Sequence, residues 1–333
     1  MNALCLTAPE NFAMLSMTEP SCPGAGEVLV AVHRVGICGT DLSGYLGKMP
    51  FIQYPRVLGH ELAVEVLAIG PGVLHLKVGD YCAVEPYLHC GECGPCALGR
   101  TNCCESLKVL GVHVHGGMRE RLLLPAGKLH QGNGLPLESL ALVETLAIGC
   151  HAVNRASIKK DEEVLIIGAG PIGLTVLIFA RLAGARITVL EKSETRSQFV
   201  RALYPEIRVM SESPDAAIAH AVFDATGNPE SMSRALRLAY FGGRIIYVGI
   251  TSQPVPLDDA LFHRRELTLL ASRNALADDF SRILALMASG EVQVASWITH
   301  GCNLEELPKA MPKWLQPASG VIKAMVTVSS ASS

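Results

Sequence analysis

Aromatic residues fill only 5% of the 333 positions, and just two are tryptophans, so a pocket walled mainly by rings is not expected. Basic charge is not in surplus either: 28 Lys and Arg face 31 Asp and Glu, a formal net charge of −3. Without a basic stripe the chain has little to offer a phosphate backbone, which excludes nucleic acid as a partner. No Lys or Arg precedes Arg34, so the start lacks the charged region of a signal peptide. No apolar run reaches the length of a membrane span; the best, from Ile172 to Ala180, stops at Arg181. What remains, 49% hydrophobic and 18% charged residues, is a globular composition, and the length asks for two domains. The expectation is a soluble, cytoplasmic protein with no membrane partner.

Cysteine, by contrast, is plentiful, with eleven in the chain. In a reducing compartment clustered cysteines point to metal more often than to disulfides. Cys90, Cys93 and Cys96 form two Cys-x-x-Cys steps with glycines between them, and Cys104 follows. Four thiolates close a tetrahedral zinc site with no open position, so this site is expected to be structural. Cys103 competes for the fourth place, and Cys104 is preferred. A redox pair is the alternative, but it needs only two of the four. Cys5, Cys22, Cys82, Cys150 and Cys302 are scattered and receive no role.

A second metal-capable stretch runs from Gly36 to Glu61. It offers the Cys38 thiolate, the His60 imidazole and the Glu61 carboxylate, a mixed set that can leave a zinc position open for water or substrate. Thr40, two residues after Cys38, is placed to carry a proton from a reacting hydroxyl. The plainer reading makes these residues ordinary core and surface positions. Against it, Glu61 borders the apolar run Leu62-Ala-Val-Glu-Val-Leu, where an unpaired carboxylate is costly.

From Ala3 to about Pro125 short β-branched runs alternate with Gly/Pro turns, the pattern of a partly open barrel or sandwich. His113 and His115 alternate along a possible strand and would then face one side, serving a metal, a substrate pocket or plain solvent. His33, His75 and Glu65 are read as surface or strand-edge residues. Leu137 to Ala156 reads as one helix, in which Glu144 is either a surface residue or a buried ligand.

Glu163 to Ile167 forms an apolar strand that runs into Gly168-Ala-Gly170-Pro171-Ile172-Gly173 and a helix. Strand, glycines and helix stand in the order a dinucleotide requires, with the phosphates on the helix N-terminus. A second strand ends at Glu191, where a carboxylate would hydrogen-bond the adenosine ribose and repel a 2′-phosphate; this favours NAD over NADP. Lys192 and Arg196 pull the other way. Further strands make six in a doubly wound parallel sheet, with Thr226, Gly249 and the Ser272-Arg273-Asn274 loop at their carboxyl ends. After Asn274 the chain is expected to return to the first domain, and 329–333 are read as disordered.

With these motifs in this order, the chain resembles the zinc-containing medium-chain alcohol dehydrogenases, and within them the polyol and sugar-acid branch. Tyr54-Pro-Arg-Val-Leu-Gly-His-Glu61, Gly99-Arg-Thr-Asn-Cys-Cys-Glu105, Val109-Leu-Gly-Val-His113 and Phe262-His263 carry the likeness. The resemblance implies a GroES-like catalytic domain over 1–150, rejoined by 276–333, around a Rossmann domain over 151–275. It makes Glu144, in Leu-Val-Glu-Thr, the carboxylate that completes a catalytic zinc site of Cys38, His60 and Glu61, and it implies two zinc ions per chain and NAD.

The implied chemistry is hydride transfer from a secondary alcohol to the nicotinamide, with Thr40 taking the proton. The family's next relay station is histidine; here it is Ser43. Lys48, His113, Arg273 and Asn274 are the implied substrate contacts, Arg273 best suited to a carboxylate. Its plainer alternative is a salt bridge within the Rossmann domain. A homodimer or homotetramer is implied. The other readings are a threonine-dehydrogenase-like or general alcohol dehydrogenase, a quinone or enone reductase, and a non-enzymatic NAD(H)-binding redox sensor.

Overall fold

Val28, Val30 and Val32 alternate with less buried residues along the first long strand, and all three are fully buried. That strand is the spine of the first of two units. The structure is a computed structural model that describes residues 1–132 and 134–329. In chain order it begins with β1 (Asn2–Ala8), β2 (Asn11–Ser16), β3 (Glu27–Ile37), α1 (Gly39–Tyr45), β4 (Arg56–Val57), β5 (Glu61–Ile69), β6 (Tyr81–Val84) and β7 (Tyr87–Leu88). There follow α2 (Gly94–Ala97), β8 (Lys108–Val109), β9 (Arg121–Pro125), β10 (Leu129–Gln131), α3 (Leu137–Ala141) and α4 (Val143–Ala156). The β-rich reading of this third of the chain stands, with one omission. Gly39–Tyr45 is a helix, its start held by Asp41, whose Oδ2 accepts from the Cys38 N–H at 2.9 Å.

Two further readings are corrected here. The single helix over 137–156 is two, because Leu142 N–H bonds Ser139 C=O at 3.1 Å and closes a tight turn between α3 and α4. The His113–His115 stretch is a turn, not a strand. Val112 and His113 both donate to the Val109 carbonyl, and the two imidazoles accept from separate backbone N–H groups, Val109 and Val57, each at 3.1 Å.

The second unit spans Thr145–Ala275. It contains β11 (Glu163–Ile167), α5 (Pro171–Leu182), β12 (Arg186–Leu190), α6 (Glu194–Leu203), β13 (Arg208–Met210), β14 (Ala219–Asp224), α7 (Pro229–Leu238), β15 (Ala239–Tyr247), α8 (Asp259–Arg264) and β16 (Thr268–Ala271). Its six strands are all parallel, in the order β13-β12-β11-β14-β15-β16. This is the doubly wound order in which β11 starts the sheet and the strand sequence reverses beside it. Val164–Ile167 of β11 and Ala221–Phe223 of β14 are buried on both faces, which is why they read as continuous apolar runs.

The chain then returns to the first unit, which comprises Met1–Glu144 and Leu276–Ser333. The returning elements are α9 (Ala277–Ala288), β17 (Ile298–Asn303), α10 (Leu307–Trp314) and β18 (Lys323–Thr327). β18 pairs antiparallel with β3 and parallel with β17, inside a seven-stranded sheet ordered β10-β6-β5-β3-β18-β17 with β9 also on β3. Of the tail read as disordered, 330–333 lie outside the described residues. Ser329 does not fit that reading: its Oγ donates to Val32 C=O at 2.9 Å.

Candidate active site and metal centres

β3, β5 and β18 lie side by side and bring three distant stretches to one place. Gly36 sits opposite Glu61 in the β3–β5 register and opposite Met325 in the β18–β3 register. A Cβ at Gly36 would lie 2.0 Å from Glu61 Oε2, so only glycine lets that carboxylate fold in. Cys38, just past β3, His60 and Glu61 point their ligand atoms to one spot, all within 4.8 Å of one another. His60 and Glu61 are buried, and Glu144 is buried too. Glu144 stands in the first turn of α4; its charge acts on both His60 and Glu61, although it lies outside that three-residue group.

A buried lysine completes the set. Lys323, at the start of β18, is 1% exposed and pairs with both oxygens of Glu61, of which only Oε1 has hydrogen-bond geometry. Burial works against the ammonium, but Glu61 and Cys38 outweigh it and hold Lys323 above its ordinary value. No short motif in the sequence singles this residue out. Its signal was a single charge inside the apolar run Val321-Ile-Lys323-Ala-Met-Val, which demands a partner when buried. Asp41 and Tyr87 were also given no role. Asp41 Oδ1 accepts from Gly59 N–H at 3.3 Å and lies 3.8 Å from His60 Nδ1. Burial disfavours the imidazolium, yet Asp41 and Cys38 raise His60 well above its usual range. Tyr87 donates its hydroxyl to Glu144 Oε1.

The chemistry of this donor set fits zinc. His60 Nδ1 is buried without a hydrogen-bond partner, and a thiol, an imidazole and a carboxylate converge on one spot. Thr40 and Ser43, three residues apart on α1, are both half-buried.

The four-cysteine group comes from one short stretch instead. Cys90, Cys93, Cys96 and Cys104 gather within one short lobe, their sulfurs also within 4.8 Å of one another, and Cys103 is outside the group. Backbone N–H groups of Cys90 and Cys93 point at the Cys104 and Cys90 sulfurs, at 3.3 and 3.4 Å. The N–H groups of Glu92 and Cys93 lower the Cys90 thiol to about 6, whereas burial and Cys93 push Cys96 up to about 12. No residue of α2 is buried, and Leu98 beside it is 79% exposed.

In the second unit Gly168 has φ +92°, and a Cβ at Gly173 would stand 1.8 Å from the Gly168 carbonyl. The turn and the close helix packing therefore both need glycine. Gly170 caps α5, with Pro171 and Ile172 opening it, and the Arg196 guanidinium lies 3.7 Å from a Cβ built at Gly170. Glu191 is already engaged: Oε2 accepts from Ala169 N–H and Oε1 from Ser193 N–H, each at 2.7 Å. Each oxygen keeps a lone pair for a ribose hydroxyl. Lys192 is exposed. Thr226 donates twice to Asp224, Gly249 packs on Gly227, and Ser272 N–H bonds Tyr247 C=O at 2.9 Å. Arg273 is exposed beyond β16, and Asn274 follows with φ +52°. In the first unit Lys48 is exposed, and the His113 ring lies 6.2 Å from Phe51. The His33–Glu65 pair, 2.9 Å apart, and His75, bonded to Ala126 C=O at 3.2 Å, are structural contacts.

Residues 24–134 match the alcohol dehydrogenase GroES-like domain, and 171–289 match the zinc-binding dehydrogenase domain. The chain is 36% identical to L-galactonate-5-dehydrogenase of Escherichia coli K12, covering 98% of this chain and 99% of that one. It is 35% identical to 2-dehydro-3-deoxy-L-galactonate 5-dehydrogenase of Pseudoalteromonas atlantica, covering 86% and 88%. An alcohol dehydrogenase of Escherichia coli CFT073, solved with NADH, superposes with a TM-score of 0.91 at 27% identity, covering 98% and 99%. The chain belongs to the zinc-containing medium-chain alcohol dehydrogenase family. It is accordingly an oxidoreductase that works with zinc and a nicotinamide dinucleotide. Among the described residues no helix is long and apolar enough to cross a membrane.

Proposed function

We propose that this enzyme oxidises a secondary alcohol of a sugar acid or polyol, passing hydride to NAD. The observation that carries the reading is the convergence of Cys38, His60 and Glu61 beside a buried Glu144, in a chain that also holds the Gly168–Gly173 crossover. The sugar-acid dehydrogenases it resembles over nearly its full length supply the substrate class. In this reading Cys38, His60, Glu61 and Glu144 hold the catalytic zinc, and Cys90, Cys93, Cys96 and Cys104 hold a structural one. Bound zinc supplies Lewis acidity at the substrate hydroxyl.

The chain's own groups do the rest. Thr40 accepts the hydroxyl proton, and Ser43, one turn along α1, passes it towards water. Asp41 orients His60. Gly168 turns the chain, Gly170 admits the pyrophosphate and Pro171 opens α5, so that the Ile172 and Gly173 N–H groups at the helix start face the phosphates, and Glu191 faces the adenosine ribose with Lys192 and Arg196 beside it. Thr226, Gly249 and Ser272 line the nicotinamide side. Lys48, His113 and Asn274 hold substrate hydroxyls, and Arg273 holds its carboxylate. The catalytic domain is assigned to 1–150 with 276–333, and the NAD domain to 151–275. Eleven cysteines with no disulfide among them support a cytoplasmic location, and the family resemblance supports a homodimer or homotetramer.

The test is NADH formation across a panel of aldonates and polyols, with NAD and NADP compared by kcat/KM. Arg273→Ala should depress kcat/KM for an aldonate by about 2–5 kcal/mol of lost charge pairing, and much less for a neutral polyol. Equal losses would remove Arg273 from substrate recognition. NADH binding without turnover of any panel member would favour the sensor.

A further inference from the structure

Glu61, within the mixed cluster, is tied to a cation, and Glu144, beside it, to a neutral phenol. Tyr87, 2% exposed, donates its hydroxyl to Glu144 Oε1 and is the hydrogen-bond donor seen on that buried carboxylate. A carboxylate held by one donor has its direction set by that donor, so what fixes Tyr87 fixes Glu144.

Tyr87 sits in the middle of a six-residue segment, Glu85 to Cys90, that is fastened along its length. At one end Glu85, 1% exposed, pairs with the buried Lys128, and Glu85 N–H bonds the Lys128 carbonyl at 2.8 Å. His130 Nε2 reaches the other Glu85 oxygen at 3.3 Å. In the middle the Pro86 carbonyl accepts from Leu110 N–H at 3.1 Å, and Tyr87 pairs with Val109 across the β7–β8 ribbon. Phe280 of α9 stacks on His130 at 4.9 Å and meets the Tyr87 ring edge-on at 6.3 Å. At the far end Lys128 Nζ lies 2.9 Å from His89 Nδ1, one residue before Cys90, where the four-cysteine lobe begins. One lysine thus braces both ends of the segment that carries Tyr87.

We propose that Tyr87 is the positioning residue for Glu144, and that the Glu85–Cys90 segment, braced by Lys128, links the four-cysteine lobe to that carboxylate. The inference rests on the reading of Glu144 as a ligand of the catalytic metal. Partners that orient a metal ligand typically contribute about 10–100-fold to metal retention or activity when removed. Tyr87→Phe keeps the ring and its packing and deletes only the donor, which leaves Glu144 free to turn.

The experiment uses the full enzyme with zinc kept in the four-cysteine lobe and cobalt(II) placed in the mixed-ligand site. Its readouts are the visible cobalt spectrum and the rate at which a chelator removes the cobalt. Glu144→Gln should shift the spectrum and speed release. Tyr87→Phe should change both in the same direction, with release about 10–100-fold faster than in the parent enzyme. The double variant should release cobalt no faster than Glu144→Gln alone, because Tyr87 acts through Glu144. Lys128→Met, which touches no ligand, should produce a smaller change of the same sign. If Glu144→Gln moves both readouts and Tyr87→Phe moves neither, the role of Tyr87 is wrong and the ligand reading stands. If the two variants add, Tyr87 acts by another route and the proposal fails. An unchanged spectrum in Glu144→Gln would remove the ligand reading itself, and the proposal with it.

Discussion

The two groups of metal-capable side chains need very different amounts of chain. The four cysteines come from 90–104 alone and sit in a lobe with an exposed helix. The mixed cluster draws on β3, β5 and, through Lys323, β18, so it exists only when the first unit is complete. The local site is held by its own ligands, whereas the distributed one is held by the sheet. If zinc fills the lobe as proposed, it would contribute to folding there, whereas the mixed site takes its shape from the sheet.

That contrast can be broken at either side. His60→Ala should cut kcat about a thousandfold, since several kcal/mol of transition-state charge stabilisation is lost, while circular dichroism and thermal midpoint barely move. A collapsed fold instead would show that the mixed site also holds the unit together. Lys323→Met blurs the contrast on purpose. It strands the buried Glu61 carboxylate without metal and should cost about 3–5 kcal/mol in denaturant unfolding of the metal-free protein, with part of the loss restored when zinc is added. Cys93→Ser should lower the thermal midpoint by about 5–10 °C, with kcat per folded molecule retained. Selective loss of hydride transfer with an intact midpoint would make the lobe catalytic.

The smallest effect concerns pH. Burial opposes the Glu85 charge, but His130 and Lys128 hold its carboxyl below the ordinary range. A lowered value means stability is present above the ordinary carboxylate value and is lost as pH falls through the lowered one. Glu85→Gln should therefore flatten the acid limb of midpoint against pH, and an unchanged limb would assign acid unfolding to other groups.

The local site was the more legible one in the sequence. Two Cys-x-x-Cys steps and a crossover glycine motif are short-range patterns, and the structure gathers the four cysteines and shapes the Gly168 turn as their spacing implied. The parallel sheet was equally plain, because Val164–Ile167 of β11 and Ala221–Phe223 of β14 are buried, unbroken apolar runs. What escaped was long-range. Nothing near Lys323 names Glu61 as its partner, 262 residues earlier. Tyr87 looks like any strand tyrosine until α4 delivers Glu144. The break at Leu142 was hidden because both halves keep apolar residues at helical spacing. His113 and His115 alternate as a strand does, but backbone bonds to Val109 make the stretch a turn.

The placement of β18 between β3 and β17 has a consequence for how the protein is made. On the ribosome the whole second unit, 145–275, emerges as one uninterrupted stretch before 323–327 is translated. It can close its sheet while the first unit still waits with the Arg34–Ile37 end of β3 unpaired on one edge and Glu61 without its counter-charge. The last strand then supplies hydrogen bonds and cation together. Synthesis stalled just before residue 323 would leave a finished nucleotide domain carrying an unfinished, adhesive one.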